Sequence, residues 1–361
     1  MISYTKFSSS GGLFACANSG FGFVSHFDAL FKDYPTLYLV KGGSGTGKSS
    51  LMKKVWREAE KRALPVLPIL CSSDPSSLDG LLLPTLGVAF ADATAPHLLE
   101  PLLPGAREQL VDTGRFWKAP MLSARRGELE VLSKSKKELY RRAYLLLEGG
   151  KNAALCRREQ AKELLFKEKA GRALSGFVKK CGAKKGKTRV LFQKALSMKG
   201  ALLSDALFEK AEQIYTLSPT LLGGEQILME DLFLKMKEEG YALTLLCDPL
   251  TLKPDALYFE ESGVLFRHGA PAGLDKEKIL DPRRLFDRPS GVEKARSKRY
   301  RACEDLLTAE ALSLLSEVSV LHLQAEEIYG SAMDFTALEE YEAHLLDCIF
   351  KGQPLSVSAA P

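Results

Sequence analysis

The stretch Lys41-Gly42-Gly43-Ser44-Gly45-Thr46-Gly47-Lys48-Ser49-Ser50 decides how this chain is read. It fits the pattern G-x-x-x-x-G-K-[ST] as Gly42-x4-Gly47-Lys48-Ser49. A polyphosphate needs several donors converging on its oxygens with no side chain in the way. Glycines let the backbone curl so that successive N–H groups point inward. A helix starting near Lys48 adds the positive end of its dipole. Lys48 supplies a point charge for the β- and γ-phosphates, and the Ser49 hydroxyl is placed to bind Mg²⁺. Gly42, Gly43, Ser44, Gly45, Thr46, Gly47, Lys48, Ser49 and Ser50 are therefore the expected nucleotide-binding residues.

The flanks supply the context this motif requires. An apolar run at 36–40 reads as a buried strand. From 48 to about 62 the apolar residues Leu51, Met52, Val55, Trp56 and Ala59 keep helical spacing. Further strands are expected at 66–71 and 87–91. This order implies parallel pairing with right-handed crossovers, hence an α/β layer fold. A magnesium site calls for a carboxylate at the end of a neighbouring strand. Asp92 closes the apolar run Gly87-Val88-Ala89-Phe90-Ala91, and Asp74 follows the strand ending at Cys71; Asp79 is a weaker candidate. Each is open to the plainer reading of a cap or turn residue. Ser49, Asp92 and Asp74 are the candidate metal ligands. Lys48, Asp92 and His97 are the candidate catalytic residues, with Thr94 and His97 expected beside the γ-phosphate. Arg107 and Arg115 are possible charge-neutralising groups, not separable by sequence from solvated arginines.

The chain also repeats itself. Residues 28–52 align without gaps with 205–229, and eight of twenty-five positions are identical, where composition alone gives about two. Shorter matches continue on either side, including Asp74-Pro75 with Asp248-Pro249 and Gly87-Val88-x-Phe90 with Gly263-Val264-x-Phe266. The second half accordingly reads as a strand at 214–217, a helix at 225–239 and a strand at 242–247. Its loop has lost the chemistry. Gly42 becomes Pro219, Lys48-Ser49 becomes Glu225-Gln226, and Asp92 aligns with His268. Pro219 removes a donor. Glu225 reverses the charge that must meet phosphate, a change of several kcal/mol (~4 at close range). Only the first half is expected to bind a triphosphate.

Each half is followed by a helix-rich stretch. The first, 123–181, reads as a hairpin broken at Gly149-Gly150. The second, 292–350, breaks near Tyr329-Gly330. Between 123 and 190 there are twenty Lys/Arg against seven Glu, whereas 302–350 holds eleven Asp/Glu and no Lys or Arg. The basic cluster Lys179-Lys180, Lys184-Lys185, Lys187 and Arg189 leaves three readings open: a nucleic-acid surface, pairing with the acidic stretch, or a solvated face. The expected organisation is an active half at 1–121, a basic hairpin at 122–189, a degenerate half at 190–290 and an acidic helical region at 291–361, frayed over 352–361.

The remaining composition sets limits. The seven cysteines are scattered, with no C-x-x-C pair, which favours thiols in a reducing compartment. No run of eighteen uncharged apolar residues and no secretory signal is evident, so a cytoplasmic, non-membrane protein is expected. No N/T-K-x-D element occurs to read guanine, which favours ATP.

The glycine-rich string, followed by Cys71-Ser72-Ser73-Asp74, Ser77-Leu78-Asp79-Gly80, Asp92-Ala93-Thr94-Ala95-Pro96-His97 and Glu100-Pro101, resembles a family of P-loop ATPases of Gram-positive bacteria. Its members are labelled nucleotide-kinase-like and built from two tandem P-loop halves. The similarity covers 13–118 with specific motifs and 190–270 as a degraded repeat. It implies a duplicated P-loop sheet with flanking helices and helical extensions, ATP and Mg²⁺ binding, and a cytoplasmic location. It supplies no substrate. Glu225 and Gln226 depart from a two-site pattern. Two functions remain open: a Mg-dependent ATPase or phosphoryl transferase, with water or an unknown acceptor, and an ATP-regulated module that grips a protein or nucleic-acid partner with little turnover. Oligomeric state is not legible.

Overall fold

The computed structural model describes residues 3–8, 11–97, 99–179, 181–182 and 184–351. Lys180 of the basic cluster and the expected frayed end at 352–361 lie outside these. The chain divides into two compact units, each discontinuous in sequence. One comprises Phe31–Cys71, Ser76–Leu139 and Glu317–Pro361, and is called the loop unit below. The second comprises Met1–Leu30, Ser72–Pro75 and Tyr140–Ser316.

In the loop unit, strands β1 (Thr36–Lys41), β2 (Leu67–Leu70), β3 (Leu78–Leu83), β4 (Val88–Asp92) and β5 (Glu108–Asp112) lie in the order β2-β3-β4-β1-β5. The central strand β1 is parallel to both neighbours, with Val40 opposite Asp92 and Lys41 opposite Asp112. Leu37, Tyr38, Leu39 and Val40 are buried, as a central strand requires. Helix α1 (Lys48–Lys61) crosses over to β2 and buries Leu51, Met52, Val55 and Ala59. Trp56, on the same expected face, is half-buried.

The purely parallel sheet expected from sequence is not found. Strand β3 inserts antiparallel between β2 and β4. Its residues are buried along the whole run, so no alternation announces a strand, and the Asp79-Gly80 pair reads as a turn. Instead, Asp79 sits where the register shifts between Ile69 and Leu70, a bulge. Gly80 allows close packing beside it: a methyl group there would lie 3.0 Å from Phe31 Cζ and from the Phe90 carbonyl oxygen.

The second unit holds strands β6 (Thr188–Leu191), β7 (Gln213–Leu217), β8 (Leu243–Cys247), β9 (Pro254–Phe259), β10 (Val264–His268) and β11 (Glu277–Leu280), in the order β6-β8-β9-β10-β7-β11. The run β8-β9-β10-β7-β11 has the same order and directions as β2-β3-β4-β1-β5. Its register shift, between Leu246 and Cys247, places Asp255 as Asp79 is placed. Tyr215 stacks on Phe266 with centroids 4.7 Å apart, as Tyr38 stacks on Phe90 at 4.7 Å.

The longer helices beyond α1 are α2 (Arg126–Glu163), α3 (Lys167–Val178), α4 (Glu225–Glu238), α5 (Gly291–Ser331) and α6 (Phe335–Lys351). The break expected at Gly149-Gly150 does not occur, because α2 runs straight through it. These glycines serve helix packing. A methyl group at Gly149 would lie 2.9 Å from Leu307 Cδ1, and one at Gly150 would lie 3.0 Å from Thr308 Oγ1. The acidic stretch does break where expected, between α5 and α6. By length and composition α5 is apolar enough to cross a bilayer, with mean hydropathy 1.4 over its best window. One such helix is weak support for a membrane span, and Ala311, Leu315, Val318, Ala325 and Ile328 along it are buried within the protein.

Candidate functional site

The glycine-rich segment joins the C-terminal end of β1 to the first turn of α1, with Gly47 as the helix N-cap. Gly45 and Gly47 take φ of +69° and +85°, values that a side chain at either position would strain. Among the described residues, the amides of Gly43, Ser44, Gly45, Thr46 and Gly47 donate to no protein acceptor. A curled run of unpaired N–H groups at a helix N-terminus is an anion-binding concavity.

Side chains brace the loop. Thr46 Oγ1 donates to the Gly43 carbonyl at 2.9 Å. Thr113, which follows β5, donates to Lys41 O at 3.0 Å and lies 3.0 Å from Thr46 Oγ1. A methyl group at Gly42 would meet Thr113 Oγ1 at 2.1 Å. Lys48 reaches back along the loop, its Nζ donating to Gly42 O at 3.2 Å and Gly43 O at 2.7 Å. There it faces Asp92 Oδ2 at 3.7 Å. Burial pushes the Asp92 carboxyl above its ordinary value, Lys48 opposes this, and Asp79 adds to it.

Thr94 is a clamp. Its amide donates to Asp92 Oδ1 at 2.8 Å and its hydroxyl to Gly42 O at 2.9 Å, tying the end of β4 to the start of the loop. Ser49 Oγ accepts the Leu78 amide at 3.0 Å, which leaves a lone pair and the hydroxyl proton for other partners. Ser49 and Asp92 thus fit a hard cation: one hydroxyl and one carboxylate, both half-buried, beside the loop.

The structure brings together Lys48, Asp92, Ser49 and the residues from Gly42 to Gly47. Ser50 lies next to them, exposed, in the first turn of α1. His97 is buried and paired with Asp79 at 3.2 Å, and its amide donates to the Thr94 carbonyl at 2.9 Å. Asp74 belongs to the second unit, where its carboxylate pairs with Lys199 at 2.6 Å. Arg107 holds the backbone carbonyls of Tyr34 and Phe31 and pairs with Glu108. Arg115 lies over the rings of Phe116 and Tyr341. Sequence reasoning missed Thr113 and Trp117, and it missed the C-terminal residues Glu326, Tyr329 and Leu338 that abut the loop. No local pattern marks them, since they reach the loop only through tertiary packing.

At the equivalent place in the second unit the loop is shut. Glu225 is buried, and its Oε2 accepts the Thr220 amide at 2.8 Å and the Thr220 hydroxyl at 2.7 Å. The Gly224 amide donates to Thr220 Oγ1 at 2.6 Å. A carboxylate of the chain itself takes loop donors that an anion would need. The backbone differs too: Gly223 has φ +77°, but Gly224 is helical where Gly47 is left-handed. Val40 opposite Asp92 and Leu217 opposite His268 place the last two residues at the same register position. His268 lies 3.1 Å from Asp255, which also pairs with Lys194 at 2.6 Å.

The basic cluster is partly neutralised within its own unit. Lys184 pairs with Glu261 at 2.8 Å and Arg189 with Glu260 at 3.8 Å, while Lys185 donates to the Glu239 carbonyl and lies over the Tyr241 ring. Between the basic and acidic helices, Arg157 pairs with Glu304 at 3.0 Å. Comparison with protein-family models gives no match, and neither does comparison with curated proteins or with solved structures.

Proposed function

We propose that this chain binds ATP with Mg²⁺ through residues 42–49 and acts as a Mg-dependent ATPase or phosphoryl transferase with one working site. The observation that carries the reading is the unpaired amide run between β1 and α1, with Lys48 folded along it and facing Asp92 on the adjacent parallel strand. In this reading the loop amides and Lys48 take the β- and γ-phosphates, and their fixed donors stabilise charge that builds up as the γ-phosphoryl group departs. Thr94 keeps Asp92 in register with the loop. Ser49 and Asp92 would hold the Mg²⁺, which supplies further neutralisation of the phosphate oxygens when bound.

The shared strand order, bulge and aromatic pair of the two sheets support descent of the halves from one duplicated P-loop unit. The Glu225 contacts support loss of the second site. The seven cysteines, all thiols, support a reducing, cytoplasmic setting. The packing of Glu326, Tyr329 and Leu338 against the loop supports a second reading, in which nucleotide binding is relayed to the C-terminal helices and turnover is slow. Calorimetry with Mg·ATP tests the binding. One site per chain is expected, and no binding by either ATP or GTP would end the proposal. Phosphate release measured without an acceptor separates an ATPase from a transferase or a switch.

A further inference from the structure

Three glycines of the loop are pressed by the end of α5 and the start of α6. A methyl group at Gly43 would lie 3.3 Å from Tyr329 Cε1, one at Gly45 would lie 2.8 Å from the Glu326 carbonyl oxygen, and one at Gly47 would lie 2.8 Å from Leu338 Cδ2. Gly45 and Gly47 thus answer two demands at once, a positive φ and a close neighbour. The pressing segment is itself fixed. The Lys118 amide donates to Ala332 O at 2.8 Å and the Asp334 amide to Phe116 O at 2.9 Å. Phe116, Met333 and Leu338 form a buried cluster, and Lys54 on α1 pairs with Glu342 on α6 at 2.6 Å.

We propose that Tyr329 and Leu338 are positioning residues of the phosphate site, holding the loop in the shape that turns its amides toward a polyphosphate. This rests on the loop being a triphosphate site. A flexible glycine-rich loop must lose conformational freedom on binding, and a wall already packed against Gly43, Gly45 and Gly47 removes part of that cost in advance. Such a wall acts on the phosphate donors, so its effect is the same for any ligand carrying the polyphosphate tail. Trp117, whose ring lies 5.7 Å from that of Tyr329, is placed to report on the contact.

The test uses the full chain and two ligands, Mg·ATP and Mg-tripolyphosphate. Tyr329→Ala and Leu338→Ala, checked for native circular dichroism, are expected to weaken both ligands by the same factor, about tenfold. Tyr329→Phe keeps the ring contact and is expected to bind as the native chain does. In Trp56→Phe, where Trp117 is the remaining tryptophan, emission is expected to shift when either ligand is added. Native affinity in the folded alanine variants, or a loss confined to ATP, overturns the inference and leaves the loop reading intact. If the alanine variants do not fold, the Trp117 response decides, and its absence despite calorimetric binding overturns the inference. If the native chain binds neither ligand, the loop reading fails and this inference fails with it.

Discussion

Lys48 and Asp92 face each other at 3.7 Å, with side chains only 13% and 16% exposed. The pair joins the first turn of α1 to the end of β4. Each partner has a second hold: Lys48 on two loop carbonyls, Asp92 on the Thr94 amide. Burial nevertheless pushes the Asp92 carboxyl above its ordinary value, and the neighbouring Lys48 opposes that push.

Substitutions at this pair are expected to separate binding from stability. Hydrogen bonds to charged groups contribute ~1.5–3 kcal/mol, so under the proposed function Lys48→Ala is expected to weaken ATP binding by about ten- to a hundredfold. Asp92→Asn is expected to remove the dependence of binding on Mg²⁺ and to leave the apo protein as stable or more so. The sign follows from linkage. With its folded pKa above the ordinary 3.8, the carboxyl binds protons more tightly in the folded state. Stability therefore falls as pH rises from 3.8 through the raised value. The asparagine variant lacks that loss. Thermal melts across pH, alongside calorimetry with and without Mg²⁺, check both parts.

Glu225 is expected to matter for stability and not for nucleotide. Glu225→Ala leaves the Thr220 amide without its acceptor in a buried loop, a cost of roughly 1–3 kcal/mol. Chemical denaturation reads that loss, and calorimetry is expected to give the same single ATP site before and after the substitution. Glu225→Lys is expected not to create a second site, because Gly224 remains helical and Pro219 still lacks a donor. A second equivalent of ATP bound by that variant would show that charge alone closed the loop.

Much of this site was legible because its signals are local. The strand–loop–helix order, the extent of α1 and the place of Asp92 at the end of β4 all follow from residues within about one turn or one strand of each other. Strand β3 was hidden because a strand buried on both faces shows no alternation, and its Asp79-Gly80 pair imitates a turn. Thr113, Tyr329 and Leu338 were hidden for a different reason: their contacts with the loop span 67 or more residues, and no spacing rule reaches that far. The surroundings of Asp74 were hidden by the same logic. This residue follows β2 in sequence, yet its carboxylate serves Lys199 in the second unit.

The Lys194–Asp255 pair carries a pH prediction. Burial alone would raise the Asp255 carboxyl, but Lys194 and His268 outweigh it and hold the group well below the usual carboxylate range. A depressed folded pKa means stabilisation that is present above the unfolded value of 3.8 and lost as pH falls through the lowered one. Lys194→Met removes the closer partner and leaves the buried carboxylate with His268 alone, at a cost of up to roughly 3–5 kcal/mol. Circular dichroism titrated toward acid is expected to show the variant unfolding at a higher pH than the native chain. Coincident acid transitions would mean that the pair is not coupled to folding.

Gly149 and Gly150 distinguish a helix that passes another closely from a helix that turns. Neither has a positive φ, and both lie inside the continuous α2. In a packed helix the two should differ. Alanine at Gly149 meets Leu307 Cδ1 at 2.9 Å, the far end of a side chain that can rotate, and it gains ~1 kcal/mol of helix propensity. Gly149→Ala is therefore expected to be near neutral or stabilising. Gly150 is buried, and a substituent there meets Thr308 Oγ1 at 3.0 Å with Leu250 beyond it. Gly150→Leu overfills this contact and is expected to destabilise by roughly 1–3 kcal/mol. Urea denaturation of the two variants side by side makes the comparison: a split between them supports a helix–helix contact, whereas equal large losses count against the predicted difference.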